Sequence, residues 1–279
     1  MNRDNLGDRM KSYENITRTY LPGRMPIIIR IDGKAFHTFT KGFKKPFDDV
    51  LMQAMEETAA VLCRDIEGVK VAYTQSDEIS LLITNNDTWE TQPWFGNNIQ
   101  KMASVAASIA TLAFNRAFDA LVRDFINEVY YKDPFIATDK LLNTYLDARD
   151  KGATFDARVF VLPADEVCNY FWWRQADAQR NSIQACGQFY FSHKELQYKS
   201  CKDIQEKLLL EKGFDWNSLS NAQKYGVCII KKSQPVKTAI DFNTTEAIAT
   251  YKNKWVIDEN IPLFFENRDY INQHLKITL

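Results

Sequence analysis

The stretch PIIIRIDG (residues 26–33) decides the fold of this chain. Its β-branched residues lie between the turn-forming pairs Pro-Gly and Asp-Gly, which are typical boundaries of a short strand buried on both faces. The sequence therefore predicts a buried first strand over residues 26–31, followed directly by the carboxylate of Asp32. An Asp-Gly pair is more often only a turn, so a catalytic role for Asp32 depends on which residues lie beside it.

A second acid, Asp77, lies in the polar segment YTQSDE (residues 73–78). The apolar runs 69–74 and 79–83 predict a hairpin whose tip carries this residue. If the hairpin lies near the first strand, Asp32 and Asp77 meet at one edge of a sheet, although 45 positions separate them (77 minus 32). Two carboxylates about 4 Å apart repel by roughly 4 kcal/mol at an effective dielectric near 20, which favours a divalent cation between them. The pair indicates metal-assisted phosphate chemistry.

The predicted order of elements is strand, helix, strand, strand, helix, strand, which is the split βαβ arrangement. The first helix is expected to have Asp48 or Asp49 as its N-cap and to stop at Gly68. The second has helical spacing over 99–113, and the fourth strand covers 157–162. In this arrangement the first strand is central, beside the strand that follows the first helix or the last one.

The rest of the chain is predicted as an elaboration of this core. An insert over 122–155, interrupted by YYKDP at 130–134, is expected to pack helices beside the sheet. Later segments are expected to form helices over 164–210 and a strand pair at 226–231 and 250–257. We therefore expect an α+β fold with a core in residues 1–165 and an elaboration in residues 166–279, without a clear linker.

Composition narrows the function classes. Lys and Arg total 35 against 36 Asp and Glu, so an RNA partner would be held by local basic patches rather than by net charge. The N-terminus has no apolar core of signal-peptide length, and no uncharged stretch approaches eighteen residues, which predicts a cytoplasmic protein outside the membrane. The chain has five cysteines but no C-x-x-C pair, and its three histidines are scattered. This pattern predicts free, mostly buried thiols rather than a zinc site or a set of disulfides.

The segment after the first strand offers groups for phosphate. GKAFH (33–37) leaves the strand without directly entering a helix, so its backbone N–H groups are free to cradle phosphate oxygens. Lys44 and Lys45 either add positive charge to this ligand or are solvated loop lysines. His37 either contacts a nucleotide or packs in the core beside its aromatic neighbours.

Glu78 directly follows Asp77, and adjacent strand residues point to opposite faces of a sheet. We therefore rank Asp77 as the metal ligand and Glu78 as a supporting residue of the catalytic group. The same segment can also be only a polar hairpin turn. No serine or cysteine has an obvious base near it in sequence, which leaves the acid pair as the strongest catalytic candidate.

Four blocks stand out together in the sequence: RIDGKAFH (30–37), AYTQSDEIS (72–80), FDARV (155–159) and WRQAD (173–177). In this order and spacing they resemble the tRNA-histidine guanylyltransferases and their tRNA-repairing relatives. The resemblance implies a core like the palm of 5′-to-3′ polymerases, usually in a homotetramer. It implies a nucleotidyltransferase that extends tRNA at the 5′ end, in the 3′-to-5′ direction.

The resemblance also implies the site. Two Mg²⁺ ions would be held by Asp32, Asp77 and the backbone carbonyl of Gly33. One site would serve ATP-dependent activation of the RNA 5′ end, attack by the 3′-hydroxyl of GTP and the later removal of pyrophosphate. Residues that would grip the nucleotide triphosphate are Lys34, Ala35, Phe36, His37 and Ser76.

The sequence departs from the family pattern at two places, one that bears on which tRNA is the substrate and one that bears on how the triphosphate is bound. Eukaryotic members that act on tRNA-histidine carry HINNLYN after the Arg-Gln-x-Asp motif, whereas this chain has QRNSIQA (179–185), which favours the repair branch. GNN (96–98) has no arginine where many relatives place triphosphate-binding residues, although Lys101 and Arg116 remain.

Three alternatives stay open. One is a strict tRNA-histidine guanylyltransferase that adds a single guanosine. Another is a palm-type nucleotide cyclase, which needs no RNA. The third is a non-catalytic RNA-binding relative, in which the pair Trp172-Trp173 would stack on bases or pack at an interface.

Overall fold

A six-stranded sheet forms the centre of the computed structural model, which describes residues 3–132, 140–240 and 247–275. The strands are β1 (Ile27–Gly33), β2 (Val69–Gln75), β3 (Glu78–Ile83), β4 (Phe155–Val161), β5 (Val227–Ile240) and β6 (Ala247–Asp258). They lie in the order β4-β1-β3-β2-β5-β6, and every neighbouring pair is antiparallel. This confirms the mixed architecture with one sheet.

Helices cover both faces of the sheet. They are α1 (Arg3–Asn15), α2 (Phe36–Phe39), α3 (Asp49–Asp65), α4 (Ile99–Lys132), α5 (Lys140–Lys151), α6 (Ala164–Tyr190), α7 (His193–Leu196), α8 (Cys201–Lys212), α9 (Asn221–Tyr225) and α10 (Asp269–Asn272). Short 3₁₀ turns occupy Trp94–Asn97, Trp216–Ser218 and Gln273–Leu275.

The first strand is central and buried on both faces, as its sequence predicted. Ile27, Ile28, Ile29 and Ile31 are all 0% exposed. The odd-numbered isoleucines pack in the core cluster that includes α3 and α4, whereas Ile28 packs in the cluster that includes α6. β1 pairs with β3 and β4, so the prediction of β4 as a neighbour is confirmed, and β3 lies between β1 and β2.

The start of α3 follows the expected capping chemistry. Asp48 is the N-cap, because its carboxylate accepts a hydrogen bond from the N–H of Leu51 at 3.0 Å. The same side chain also accepts the hydroxyl hydrogen bond of Tyr145 on α5 at 2.7 Å. This second bond ties the start of α3 to the insert, so the insert does pack a helix beside the core.

Two predicted boundaries differ from the structure. α4 continues to Lys132, because Tyr130 and Tyr131 extend the helix instead of interrupting it; Pro134 lies outside the described residues. β4 begins at Phe155 rather than at residue 157, since Phe155 pairs with Gly33 and packs against Phe36. Its side chain is part of the aromatic cluster around α2.

α4 is also the one described helix that is long and apolar enough to cross a membrane, by length and composition alone. Met102, Ala106, Ala110 and Phe114 on this helix are 0% exposed and pack in the main core cluster. Its apolar face is therefore covered by the protein itself.

The late strand pair is confirmed and is longer than predicted. β5 pairs with β2 only from Val227 to Ile230, and beyond these residues β5 and β6 continue as a hairpin that protrudes from the sheet.

Four of the five cysteines are buried, and all five are free thiols. The predicted division of the chain near residue 165 stays a prediction; both proposed parts contribute strands to one sheet.

Candidate active site

The end of β1 contacts the tip of the β2–β3 hairpin. The backbone N–H of Gly33 donates a hydrogen bond to the carbonyl oxygen of Asp77 at 3.1 Å. Asp32 lies directly opposite Glu78 in the register of β1 and β3, one residue from Asp77. Burial raises the pKa of Asp77, and the negative charge of Asp32 adds to that rise.

The tip itself is a two-residue connection between Gln75 and Glu78. Ser76 has a φ of 51°, in the left-handed region that non-glycine residues rarely adopt. Its hydroxyl donates a hydrogen bond to Asp77 Oδ1 at 3.0 Å, which lowers the pKa of Asp77 and partly offsets the effect of burial. The hydroxyl therefore orients the carboxylate at the tip.

The turn after Asp32 is tighter than the sequence indicated. The N–H of Lys34 donates to the carbonyl of Thr154 at 2.9 Å, and α2 begins at Phe36, preceded by Ala35 with a φ of 54°. The backbone N–H groups of Gly33 and Lys34 are therefore already hydrogen-bonded. The expectation that the N–H groups of residues 33–37 are free to bind phosphate was wrong for these two residues. The N–H groups of residues 35–37 have no acceptor among the described residues.

A cavity of about 570 Å³ opens beside this contact. Its walls come from the α2 turn, α3, the hairpin tip, α6 and α9. Ser76 and Asp77 line it, whereas Asp32 and Lys34 do not. Other predicted residues on its wall are Gly33, Ala35, Phe36, His37 and Lys44.

Among these residues Phe36 has a packing role. Its ring is 4% exposed and lies within 5.4 Å, centroid to centroid, of the rings of Phe39, Phe114 and Phe155. His37, by contrast, is exposed, and its ring nitrogen lies 3.1 Å from the hydroxyl of Thr38. The alternative of a core-packed His37 was therefore wrong.

The cations of the cavity differ from those that the sequence analysis emphasised. Lys44, Lys45 and Lys224 line it; Lys44 is paired with Asp49 at 3.1 Å at the surface. Lys224 was missed, because only the packing of α9 against α6 brings it here. Lys101 and Arg116 are absent from the wall, and Arg116 lines a separate groove between α3 and α4.

Glu78 lies behind the cavity wall, in a cluster of ion pairs. It is 5% exposed, and its Oε2 lies 2.6 Å from Arg30 Nη2, while its Oε1 lies 3.1 Å from Arg174 Nε. Burial raises the pKa of Glu78, and the charges of Arg174 and Arg30 partly offset this. Arg30 also lies 3.4 Å from Asp32, and Arg174 bonds Asp177. Glu78 thus lies in an ion-pair cluster beside Asp32 rather than on the cavity wall, and its supporting role in catalysis stays a prediction.

The donors at the tip suit a hard cation. Asp32, Asp77 and the carbonyl of Gly33 supply oxygen atoms, which are the ligands that Mg²⁺ prefers. In the described residues no group of three or more His, Cys, Asp or Glu side chains forms a metal cage. A site with two carboxylates fits a Mg²⁺ ion that completes its coordination with substrate phosphates and water.

Residues 7–163 match the family model described as Thg1, tRNAHis guanylyltransferase. This match spans more than half of the 279 residues. The chain belongs to the tRNA(His) guanylyltransferase family. It is therefore a nucleotidyltransferase of this type, as the four sequence blocks predicted.

Two solved structures of bacterial tRNA(His) guanylyltransferase (Thg1)-like proteins are similar to the chain over its whole length. One, in complex with ATP, is 44% identical with a TM-score of 0.77; the other, in complex with GTP, is 41% identical with a TM-score of 0.75. Each comparison covers 98% of this chain and 100% of the other. The neighbours therefore share both sequence and fold with this chain.

Curated relatives align over shorter parts. An uncharacterized protein of Acanthamoeba polyphaga mimivirus is 28% identical over 249 residues, 84% of this chain and 78% of the relative. A probable tRNA(His) guanylyltransferase of Dictyostelium discoideum is 27% identical over 160 residues, 56% of this chain. The chain spans about half the length of that guanylyltransferase, 52%.

In this guanylyltransferase-family chain, the block that departs from the family pattern borders the cavity. Asn181, Ser182 and Ala185 on α6 line its wall. Ser182 accepts a hydrogen bond from the indole N–H of Trp216 at 3.0 Å, which fixes this part of the wall. Part of the segment 179–185 therefore forms the wall of the candidate active site, whereas Gln179, at the position of the histidine, does not line it.

Proposed function

We propose that this chain is a Mg²⁺-dependent nucleotidyltransferase that repairs tRNA 5′ ends, adding nucleotides such as GTP in the 3′-to-5′ direction after ATP or GTP activates the end. The observation that carries the proposal is the contact between Gly33 and Asp77, which brings the end of β1, with Asp32, next to the hairpin tip whose Asp77 lines a nucleotide-sized cavity. The two bacterial relatives in complex with ATP and with GTP support these nucleotides as substrates.

Different residues beside this cavity would bind the metal ions, orient a carboxylate and bind the triphosphate. Asp32, Asp77 and the Gly33 carbonyl would hold two Mg²⁺ ions, which supply charge stabilisation for attack at phosphorus. Ser76 orients the Asp77 carboxylate through its 3.0 Å hydrogen bond. The free N–H groups of residues 35–37 and the ammonium groups of Lys45 and Lys224 would bind the triphosphate oxygens.

The reaction has two transfers at phosphorus. In the first, an oxygen of the RNA 5′-monophosphate attacks the α-phosphorus of ATP, and pyrophosphate leaves. In the second, the 3′-hydroxyl of GTP attacks the activated 5′-phosphorus, loses its proton, and AMP leaves. Both transfers require the same oriented carboxylates and phosphate-binding groups, so one site can serve both.

The repair assignment is supported by the α6 block. Gln179 stands at the position of the histidine in the block of the tRNA-histidine enzymes, and Asn181, Ser182 and Ala185 of the same segment line the cavity. The missing histidine favours repair, with nucleotide choice by pairing with the opposite RNA strand, over a fixed preference for tRNA-histidine. We also propose a cytoplasmic homotetramer with a polymerase palm-like core, on the basis of the family.

The protruding β5–β6 hairpin supports RNA binding. Lys231, Lys232, Lys252 and Lys254 are exposed on it, although the whole chain has a net charge of −1. Lys232 and Lys254 lie directly opposite each other in the register, where like charges destabilise a strand pair, and Asp258, 3.5 Å from Lys232 Nζ, offsets only part of this repulsion. A phosphate backbone between them removes the repulsion, so we propose that this hairpin contacts tRNA.

One experiment separates the candidate functions. The protein is given tRNAs that lack one or two 5′ nucleotides, or full-length tRNA-histidine, with Mg²⁺ and all four nucleotides, and the 5′ ends are sequenced. Additions that match the opposite strand of several truncated tRNAs support repair. A single guanosine added only to tRNA-histidine indicates the strict enzyme instead.

The two remaining alternatives have their own signatures. A cyclic nucleotide formed without RNA, detected by chromatography, indicates a cyclase. Tight tRNA binding with no product at any metal or nucleotide concentration indicates a non-catalytic relative. Either result contradicts the proposed function.

A further inference from the structure

We infer that Arg174 is a positioning residue that keeps Asp32 available to a divalent cation by holding Arg30 against Glu78. The inference rests on the cation site of the proposed function. The four side chains form a continuous series in which Glu78 separates the two arginines. Arg174 is paired with Glu78 and Asp177, and Glu78 is paired with Arg30, so the effect of Arg174 on Asp32 passes through Glu78 and Arg30.

Arg30 is the natural competitor of a cation at Asp32. A guanidinium binds a carboxylate strongly when two parallel N–H groups face its two oxygens, and this leaves little negative charge for a metal. In this structure Arg30 Nη2 lies 2.6 Å from Glu78 but 3.4 Å from Asp32. Arg30 Nη2 does donate a hydrogen bond to Asp32 Oδ2, but this bond is single and long, not bidentate, so Asp32 keeps most of its capacity as a ligand.

Arg174 forms the second ion pair of Glu78, without a hydrogen bond from its Nε–H group. Its Nε lies 3.1 Å from Glu78 Oε1, so each oxygen of this carboxylate faces a different guanidinium. Arg174 is itself held in place, because it bonds Asp177 and its guanidinium carbon lies 4.0 Å from the ring centroid of Trp173. At 4% exposure its side chain has little room to move.

Removal of Arg174 therefore frees Glu78 to rotate away from Arg30. Arg30 then turns toward the neighbouring carboxylate on its own strand, Asp32, and competes with the cation. This predicts weaker metal binding in a protein whose proposed metal ligands are intact. It also predicts that removal of Arg30 reverses the defect.

The test measures Mn²⁺ binding, with no reaction, from the electron paramagnetic resonance signal of free Mn²⁺. Arg174→Gln is expected to raise the dissociation constant about tenfold, as changes behind metal ligands typically do. The double variant Arg174→Gln/Arg30→Gln is expected to return it to the wild-type value. Arg180→Gln is the matched control, because Arg180 lies on the same helix and bonds Asp177 but does not contact Glu78.

Each outcome decides a separate point. An unchanged constant in Arg174→Gln, or a defect that Arg30→Gln does not reverse, overturns the inference. If Arg174→Gln does not melt as a folded protein, Glu78→Gln replaces it, and an unchanged constant in that variant overturns the inference equally. If wild type and Asp32→Ala bind Mn²⁺ alike, the cation site of the proposed function is wrong, whatever Arg174 does.

Discussion

The N–H of Gly33 and the carbonyl oxygen of Asp77, 3.1 Å apart, join the first strand to the hairpin tip in a bond between residues far apart in sequence. The glycine is required there, because a Cβ at position 33 would lie 2.2 Å from a ring carbon of Phe36. The close contact between the backbone at position 33 and the ring of Phe36 therefore depends on the absence of a Cβ atom at this position.

Gly33→Ala is expected to destabilise the fold by about 1–3 kcal/mol, the usual range for overpacking a buried site, and to lower nucleotide transfer. Urea unfolding measures the stability, and incorporation of labelled GTP measures the transfer. Gly23→Ala is the matched control, since no atom lies within 4 Å of its added Cβ. A stability of Gly33→Ala equal to that of this control contradicts the turn geometry.

Asp77→Asn is expected to raise the melting temperature at pH 7 by about 2 °C or more while transfer is lost. Burial raises the pKa of Asp77 in the folded chain, so the folded state binds the proton more tightly than the unfolded state does. Its contribution to stability is therefore fullest at low pH and is lost as the pH rises through the raised pKa. The neutral amide removes this penalty.

Differential scanning calorimetry at pH 4 and pH 7 checks the prediction. The gain over wild type should be larger at pH 7, and the exposed control Asp124→Asn should show no such gain. A lower melting temperature for Asp77→Asn at pH 7 would show that the carboxylate stabilises the fold.

Glu56 on the cavity wall provides a second pH-dependent prediction. Burial, together with the charges of Glu259 and Glu57, raises its pKa to about 7. The stability that it contributes is present below pH 4.5 and is lost as the pH rises from 4.5 to 7. Glu56→Gln should therefore gain stability over wild type across that window, by about 1 kcal/mol after allowance for its part-exposed side chain.

Melting curves at four pH values between 4 and 8 measure this difference. Glu90→Gln, on an exposed loop, is the control and should track wild type throughout. A constant difference between Glu56→Gln and wild type from pH 4 to pH 8 would contradict the prediction.

Local sequence patterns were sufficient to predict the strands, cap and turn that form the site. The β-branched run of β1, the cap at Asp48 and the polar tip at Ser76 each carry their signal within a few residues, and each was predicted. The contact of Glu78 with Arg174 joins positions 96 apart (174 minus 78) and is formed only when α6 packs on the sheet. Lys224 was missed for the same reason.

The hairpin lysines offer a test of RNA binding. Lys252→Gln/Lys254→Gln is expected to weaken tRNA binding and to reduce the slope of log affinity against log salt by about 2, roughly 1 for each lysine that no longer neutralises a phosphate. Fluorescence anisotropy with labelled tRNA at several salt concentrations gives both quantities. The control Lys194→Gln/Lys202→Gln removes two exposed lysines elsewhere on the surface and should leave the slope unchanged. Equal slopes in the two double variants would exclude the hairpin.

The central claim is that Asp32 and Asp77 act together in nucleotide transfer. Its most direct test is the single-turnover rate of labelled GTP addition to a tRNA that lacks its 5′ nucleotide, measured at saturating Mg²⁺ for wild type, Asp32→Asn and Asp77→Asn. We expect transfer by wild type and its loss in both variants, each of which remains folded by calorimetry. Transfer at the wild-type rate in either folded variant would contradict the account.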